Sequence, residues 1–222
     1  MTVTSADLRW RLPLGVDLAF STRVDGDMRD PQHRQAWLTE LGVTAPAVVT
    51  RQMHGIRVVS AASGPAAEAD GLTTLRPGPP LVVFGADCPG LCLVAPDALG
   101  LAHCGWRGVA GGMVGSLVAA LAARSRHPPA QWQGVIGPAV HPEDYEVDGP
   151  VLEARMWPAA ALGPARPGRA HLDLPAAITA DLAALGCRAV TQATVSTSRD
   201  ARLWSYRKHG AGLVQGLAAW WR

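Results

Sequence analysis

Leu81-Val-Val-Phe-Gly-Ala-Asp87-Cys88-Pro-Gly90 and, a little further on, Leu101-Ala-His103-Cys104-Gly105-Trp106-Arg107-Gly108-Val-Ala-Gly111-Gly112 are the segments that decide how this chain is read. Each is an apolar, β-type run that stops at a soft or borderline metal ligand beside a glycine. The second then flows into a helical pattern. A thiol and an imidazole delivered at two strand ends are what a small zinc site or a Cys/His nucleophile pair requires. That marks the chain as an enzyme candidate.

Outward from these runs, strand-like pieces recur at Val16–Ser21, Ala47–Thr50, Ile56–Ser60, Leu81–Gly85, Leu91–Ala95, Leu99–His103, Trp132–Ile136 and Ala189–Ala193. Helices are fewer. Asp30-Pro31 opens one over Gln32–Leu41 that closes at Gly42, with Pro at the first helical position after an Asp cap. Asp173-Leu-Pro175 opens another that ends at Gly186, and Val109–Arg124, apolar nearly all round, is expected to lie against a sheet. Arg76–Pro80, His127–Pro129 and Pro158–Gly168 read as loops. Strands outnumber helices, so the expectation is α+β: residues 1–222 as one domain, with two sheets packed together and helices outside.

The 222 residues suffice for a sizeable core. A formal charge of +2 is too mild to argue for nucleic acid or a membrane surface, and the basic residues form no block. Acid and arginine interrupt Met1–Arg11, so no signal peptide is expected there, and no apolar run approaches the roughly 18 residues of a membrane span. Three of the four cysteines are bunched together, a pattern of thiols in a reducing compartment rather than of a disulfide framework. The cytoplasm is the expected location. Monomer and homodimer are both compatible with the composition.

Three positions carry the chemistry: His54 in Gln52-Met-His54-Gly55, Cys88, and His103. Together they supply three ligands of a tetrahedral zinc ion and leave a fourth position for water or substrate. Each residue type also has an ordinary structural use, as a hydrogen-bonded histidine or a buried thiol. Cys104 is assigned to the core, because strand neighbours face opposite ways, and so are Cys92 and Cys187. His33, His127 and His171 read as surface residues. Arg107 lies at a strand–glycine–helix junction whose free N–H groups could receive an anion. Arg23 and Arg207 are further basic groups ending apolar segments, and Asp87 adjoins Cys88 as a supporting group, a proton carrier or a simple strand-end cap.

Phe20-Ser-Thr-Arg23, Gln52-Met-His54-Gly55, Glu68-Ala-Asp70-Gly71-Leu72, Ala86-Asp-Cys88, Ala102-His103-Cys-Gly-Trp-Arg-Gly108, Ile136-Gly-Pro138, Tyr145-Glu-Val147, Leu172-Asp-Leu174 and Ser205-Tyr-Arg207 occur in an order that resembles the laccase-domain, "polyphenol oxidase" or YfiH-like family. Members of that family are also described as purine nucleoside phosphorylases and as peptidoglycan-editing factors. The resemblance implies a layered αββα sandwich with zinc, or alternatively copper, held by His54, Cys88 and His103. It implies phosphorolysis of adenosine, inosine, guanosine and methylthioadenosine, and deamination of adenosine. Phosphate calls for bidentate arginine, and Arg23 first, Arg107 second, with Arg207, are the expected ligands. Two alternatives come with the resemblance. One is removal of misincorporated serine from a UDP-muramic acid precursor, with Cys88 as nucleophile and His103 as base. The other is copper-dependent phenol oxidation.

The chain departs from the pattern after Arg23, where Val24–Asp30 runs almost directly into a helix and shortens one wall of the pocket. His141-Pro-Glu143-Asp144 and Thr194-Val-Ser-Thr197 stand where many members carry cysteines, which removes soft ligands and argues against a copper oxidase. Pro89-Gly90 alters the turn beside Cys88.

Overall fold

The computed structural model describes residues 8–63 and 68–222. The reading of the leader region falls mainly on residues 1–7, outside the described part. Two large sheets dominate. The four-stranded sheet has the order β1 (Arg9–Arg11), β2 (Val16–Phe20), β13 (Gln215–Trp221), β5 (Leu81–Gly85), all antiparallel. The six-stranded sheet runs β12 (Ala189–Gln192), β8 (Gln133–Ile136), β6 (Gly90–Val94), β7 (Ala98–His103), β4 (Gly71–Leu75), β3 (Val58–Ser60). It is mixed, because β12–β8 and β3–β4 pair in parallel. A small sheet of β10 (Leu162–Gly163), β11 (Ala170–Leu172) and β9 (Glu146–Val147) stands apart.

The layering follows from side-chain alternation. In β5, Leu81 and Val83 face the core between the sheets, and Val82 faces α1 (Pro31–Glu40) on the outside. In β6, Cys92 and Val94 face the inter-sheet core, while Leu91 and Leu93 face α3 (Met113–Ala122) and α5 (Leu174–Ala184). Both faces of each central strand are therefore covered, which is why these runs read as continuously apolar. The order helix, sheet, sheet, helix is the αββα sandwich that the family resemblance implied. Asp30 and Asp173 cap α1 and α5 as expected, accepting from the N–H of Gln32 and Ala176 at 2.7 and 2.9 Å. No helix among the described residues is long and apolar enough to cross a membrane.

Four expectations are corrected. The helix placed over Val109–Arg124 is two helices, α2 (Trp106–Gly111) and α3, separated by Gly112 at φ 97°, a left-handed geometry that glycine adopts freely. Ala47–Thr50 makes only a single bridge, Val48 to Leu81. Beyond it the side chain of Gln52 takes over the role of a strand residue: its amide donates to the carbonyl of Phe84 at 2.8 Å and accepts from the Phe84 N–H at 2.7 Å. The chain can then leave the sheet edge. Strands β4 and β13 were absent from the sequence reading; β4 is rich in threonine, and the middle of β13 is glycine and alanine. Pro158–Gly168, read as loop, contains the two residues of β10.

Candidate metal centre

Both large sheets bring the same kind of end to one place. The pairs Gly85–Gln215 and Phe20–Leu217 end the four-stranded sheet, and His103–Gly90 and Leu91–Ile136 end the six-stranded one. The connections at this edge carry the chemistry. Cys88 lies in the turn from β5 to β6, tied down where the Cys104 N–H donates to the Pro89 carbonyl at 2.9 Å and the Val140 N–H to the Asp87 carbonyl at 3.1 Å. His103 is the last residue of β7. His54 sits in the loop before β3 with a left-handed φ of 59°.

The ligand atoms of His54, Cys88 and His103 all lie within 4.8 Å of one another, and the two imidazoles meet edge to face at 4.7 Å between centroids. Their accessibility is graded, from exposed His54 through half-buried Cys88 to buried His103. Three donors open on one side match a metal site that keeps a position for reactants. Gly105 supports this: a Cβ there would lie 2.9 Å from His54, 3.2 Å from the Cys88 sulfur and 3.3 Å from His103. The space beside all three donors exists because that residue has no side chain. One thiolate and two imidazoles suit zinc, and the same set also accepts copper.

Asp70, which the sequence reading quoted without assigning a role, lies beneath the cluster and is almost fully buried. Its carboxylate accepts the Nδ1–H of His103 at 2.9 Å and the backbone N–H groups of Met53, His54 and Gly55 at 3.0, 2.9 and 2.8 Å. Burial works against its ionisation, but His103 and the N–H groups outweigh it and hold the carboxyl below the usual range. Burial likewise pushes the Cys88 thiol up, yet His103 and His54 draw it down to about 7. Burial lowers the basicity of His103, but Asp70 and Cys88 raise it to about 9. Without metal, the pair is thus poised as thiolate and imidazolium.

The other residues singled out from the sequence surround this centre unevenly. Asp87, at φ 93°, turns its carboxylate away into the fold, accepting the Thr197 hydroxyl at 2.6 Å and the Arg207 N–H at 2.7 Å. Arg207, in α6 (Tyr206–His209), is thereby anchored beside the residue next to Cys88, with its guanidinium 4.7 Å over the ring of Tyr145. Tyr145 itself is buried; that and the nearby Cys88 charge push its hydroxyl up to about 12, so it stays a donor. Arg23 stacks 4.0 Å over Trp204, and exposed Arg107 stacks 4.4 Å over Trp106. Among the described residues none of these three guanidiniums has a carboxylate partner. The N-terminus of the helix after Gly105 belongs to a helix of only six residues, so the case for an anion there rests on arginine rather than on a helix dipole. Cys92, Cys104 and Cys187 lie in the core. Of the histidines read as surface residues, His33 is exposed, and His127 and His171 are half-buried.

A profile of the family described as "Multi-copper polyphenol oxidoreductase laccase" matches residues 17–220. A purine nucleoside phosphorylase of Deinococcus radiodurans is 33% identical over 220 residues, covering 88% of this chain and 85% of that protein. Purine nucleoside phosphorylase YfiH of Escherichia coli is 30% identical over 170 residues, covering 67% of this chain and 68% of that protein. The crystal structure of YlmD from Geobacillus stearothermophilus superposes with a TM-score of 0.83 at 25% identity, across 97% of this chain and 99% of the other. With its layers, its ligand cluster and its sequence in agreement, the chain belongs to the multi-copper polyphenol oxidoreductase laccase family, the YfiH-like proteins.

Proposed function

We propose that this protein is a purine nucleoside phosphorylase that holds zinc through His54, Cys88 and His103, acting on adenosine, inosine, guanosine and methylthioadenosine and also deaminating adenosine. The observation that carries the reading is the open three-donor cluster, together with Arg23 and Arg207, which have no carboxylate partner among the described residues. The names of the curated relatives support the substrate class. A bound zinc ion supplies a Lewis acid and a water acidified to a pKa of about 7.

In phosphorolysis an oxygen of phosphate bonds to the anomeric carbon as the bond from that carbon to the purine nitrogen breaks, and the departing base takes up a proton. The chain's own residues must bind a dianion and orient it under a carbon that becomes cationic. Guanidinium suits that through paired N–H contacts. Arg207 is held in register with Cys88 by Asp87, and Arg23 is stiffened on Trp204, so both can grip phosphate without first breaking an ion pair. Asp87 has both carboxylate oxygens committed to donors, which favours a tethering role over proton transfer. This reading takes residues 1–222 as one domain, acting in the cytoplasm as monomer or homodimer.

The test is metal analysis of the purified protein, followed by incubation with each nucleoside with and without phosphate. Free base and ribose 1-phosphate support phosphorolysis. Ammonia and inosine from adenosine support deamination. Neither product from zinc-loaded protein refutes the proposal. A second reading draws on the hydrogen-bonded series Asp70, His103, Cys88, which has the layout of an orienting carboxylate, a base and a thiol nucleophile. It would serve amide hydrolysis on the muramyl-serine precursor. Activity on that amide without stoichiometric zinc would favour it. A multi-copper oxidation finds less support, since one three-ligand cluster is found among the described residues.

A further inference from the structure

We infer that Asp70 is the positioning residue that builds two of the three metal ligands at once. It selects the ring nitrogen His103 offers and folds the loop that presents His54. The inference rests on the reading that the cluster holds zinc.

Two independent sets of contacts meet on one carboxylate. The first fixes His103. Its main-chain N–H donates to the Asp70 carbonyl at 2.8 Å, and its ring Nδ1–H donates to the Asp70 carboxylate at 2.9 Å. With Nδ1 bound on the inner side, Nε2 is the nitrogen left for the cluster, and the ring cannot flip without taking one donor away from a buried carboxylate.

The second set fixes His54, which is distant in sequence. Three successive N–H groups, those of Met53, His54 and Gly55, point at the same carboxylate. Consecutive amides can converge on one anion when a residue among them takes the left-handed conformation, and His54 does so at φ 59°. The anion in this concavity is the protein's own side chain. The surrounding main chain wraps it further: the Ala69 N–H donates to the Arg51 carbonyl, and those of Asp70 and Gly71 to the Arg57 carbonyl. An uncommon backbone geometry at an exposed histidine is thus explained by a buried charge beneath it. The charge number matters as well as the shape. Asparagine has one acceptor oxygen where the carboxylate has two, and its NH₂ would confront donors already there: the His103 ring and the His54 N–H on one side, or the N–H groups of Met53 and Gly55 on the other.

The test is made on the full-length protein with Zn²⁺ as the probe, in two measurements. Competition with a chromophoric chelator is expected to give Asp70→Asn a zinc affinity about 10–100-fold below the parent's, the range typical of lost partners behind a ligand. Melting of the metal-free proteins is recorded alongside, to show that the variant is folded. Long-range ¹H–¹⁵N correlation on the zinc-loaded parent is expected to find the proton of the His103 ring on Nδ1 and zinc on Nε2. That measurement needs no variant and decides the matter if Asp70→Asn fails to fold. A His103 bound through Nδ1, or a folded variant with parental affinity, overturns the inference while leaving the zinc site standing. A parent that takes up no zinc overturns both.

Discussion

Gly105→Ala probes the centre with a single methyl group. Gly105 has φ −67° and ψ 160°, which alanine adopts without strain, so the backbone tolerates the change. The residue is the N-cap of α2, where alanine is worse than glycine by about 1 kcal/mol. For a protein of this size that lowers the melting temperature by about 2–4 °C. The site responds more strongly. The new Cβ would sit 2.9 Å from Cδ2 of His54, 3.2 Å from the Cys88 sulfur and 3.3 Å from Cε1 of His103. Carbon atoms settle at about 3.5–4.0 Å, so the His54 ring must retreat by roughly 0.6 Å or more. Metal–ligand distances tolerate about 0.2 Å. We expect zinc affinity to fall about 10–100-fold, or roughly 1.4–2.7 kcal/mol. Turnover of nucleoside at saturating zinc should fall on the order of 100-fold. Chelator competition and a coupled assay for free purine measure both. A folded variant that keeps parental zinc affinity and rate would refute the placement of Gly105 against the ligands.

Several other outcomes are expected. In metal-free protein, alkylation of Cys88 by iodoacetamide should rise through pH 7, well below the range of an ordinary thiol, and zinc should block it. The thiol of Cys88 is depressed, so the stabilisation it gives the fold is present at high pH and fades as pH falls through about 7; His103 is raised, so its contribution fades as pH climbs through about 9. Between those values the two contributions run in opposite directions, Cys88 gaining with pH about what His103 loses. The urea stability of metal-free protein should therefore be nearly level from about pH 7 to 9, and a slope there of about 1.4 kcal/mol per pH unit would contradict the pairing. Asp87→Asn should raise the KM for phosphate several-fold by loosening the Arg207 segment, with zinc content unchanged; equal loss of zinc would show that Asp87 acts on the ligands instead. Arg207→Lys should lower kcat/KM for phosphate about 10-fold, because an ammonium cannot form the paired contacts of guanidinium, and an unchanged value would remove Arg207 from the phosphate site. Leu101→Ala, in the fully buried core between the sheets, should cost about 2–5 kcal/mol in urea denaturation and leave zinc affinity intact; a cost below 1 kcal/mol would contradict the packing described.

The layers were legible where the chemistry of the chain is local. Leu81–Gly85 and Leu99–His103 announce strands by unbroken apolar runs, and Asp30-Pro31 and Asp173-Leu-Pro175 announce helix starts by their caps. Strand β13 was not legible, because glycine and alanine at 216, 218 and 219 carry little strand preference. Those small residues are needed between two sheet neighbours and close to Met28 and Val82, a demand only the assembled sheet reveals. The break at Gly112 was hidden because Gly111-Gly112 lies within an apolar run that continues through Arg124, and the left-handed turn at Gly112 shows only in the folded chain. At the centre, ligand residue types at strand ends were visible in the sequence. The carboxylate of Asp70 was not, since nothing local indicates that it will meet amides fifteen to seventeen residues before it and an imidazole thirty-three residues after it.

The position of β13 bears on how the polypeptide matures. It inserts between β2 and β5, joining Trp221 to Val16 and Ala219 to Leu81, so the four-stranded sheet cannot close until a strand that follows β5 by about 130 residues has docked. Until then β2 and β5 present unpaired hydrogen-bonding edges, and closing the gap requires contacts spanning most of the chain. Molecules in which β13 has not yet docked should thus be the sticky species, the ones that call on chaperones.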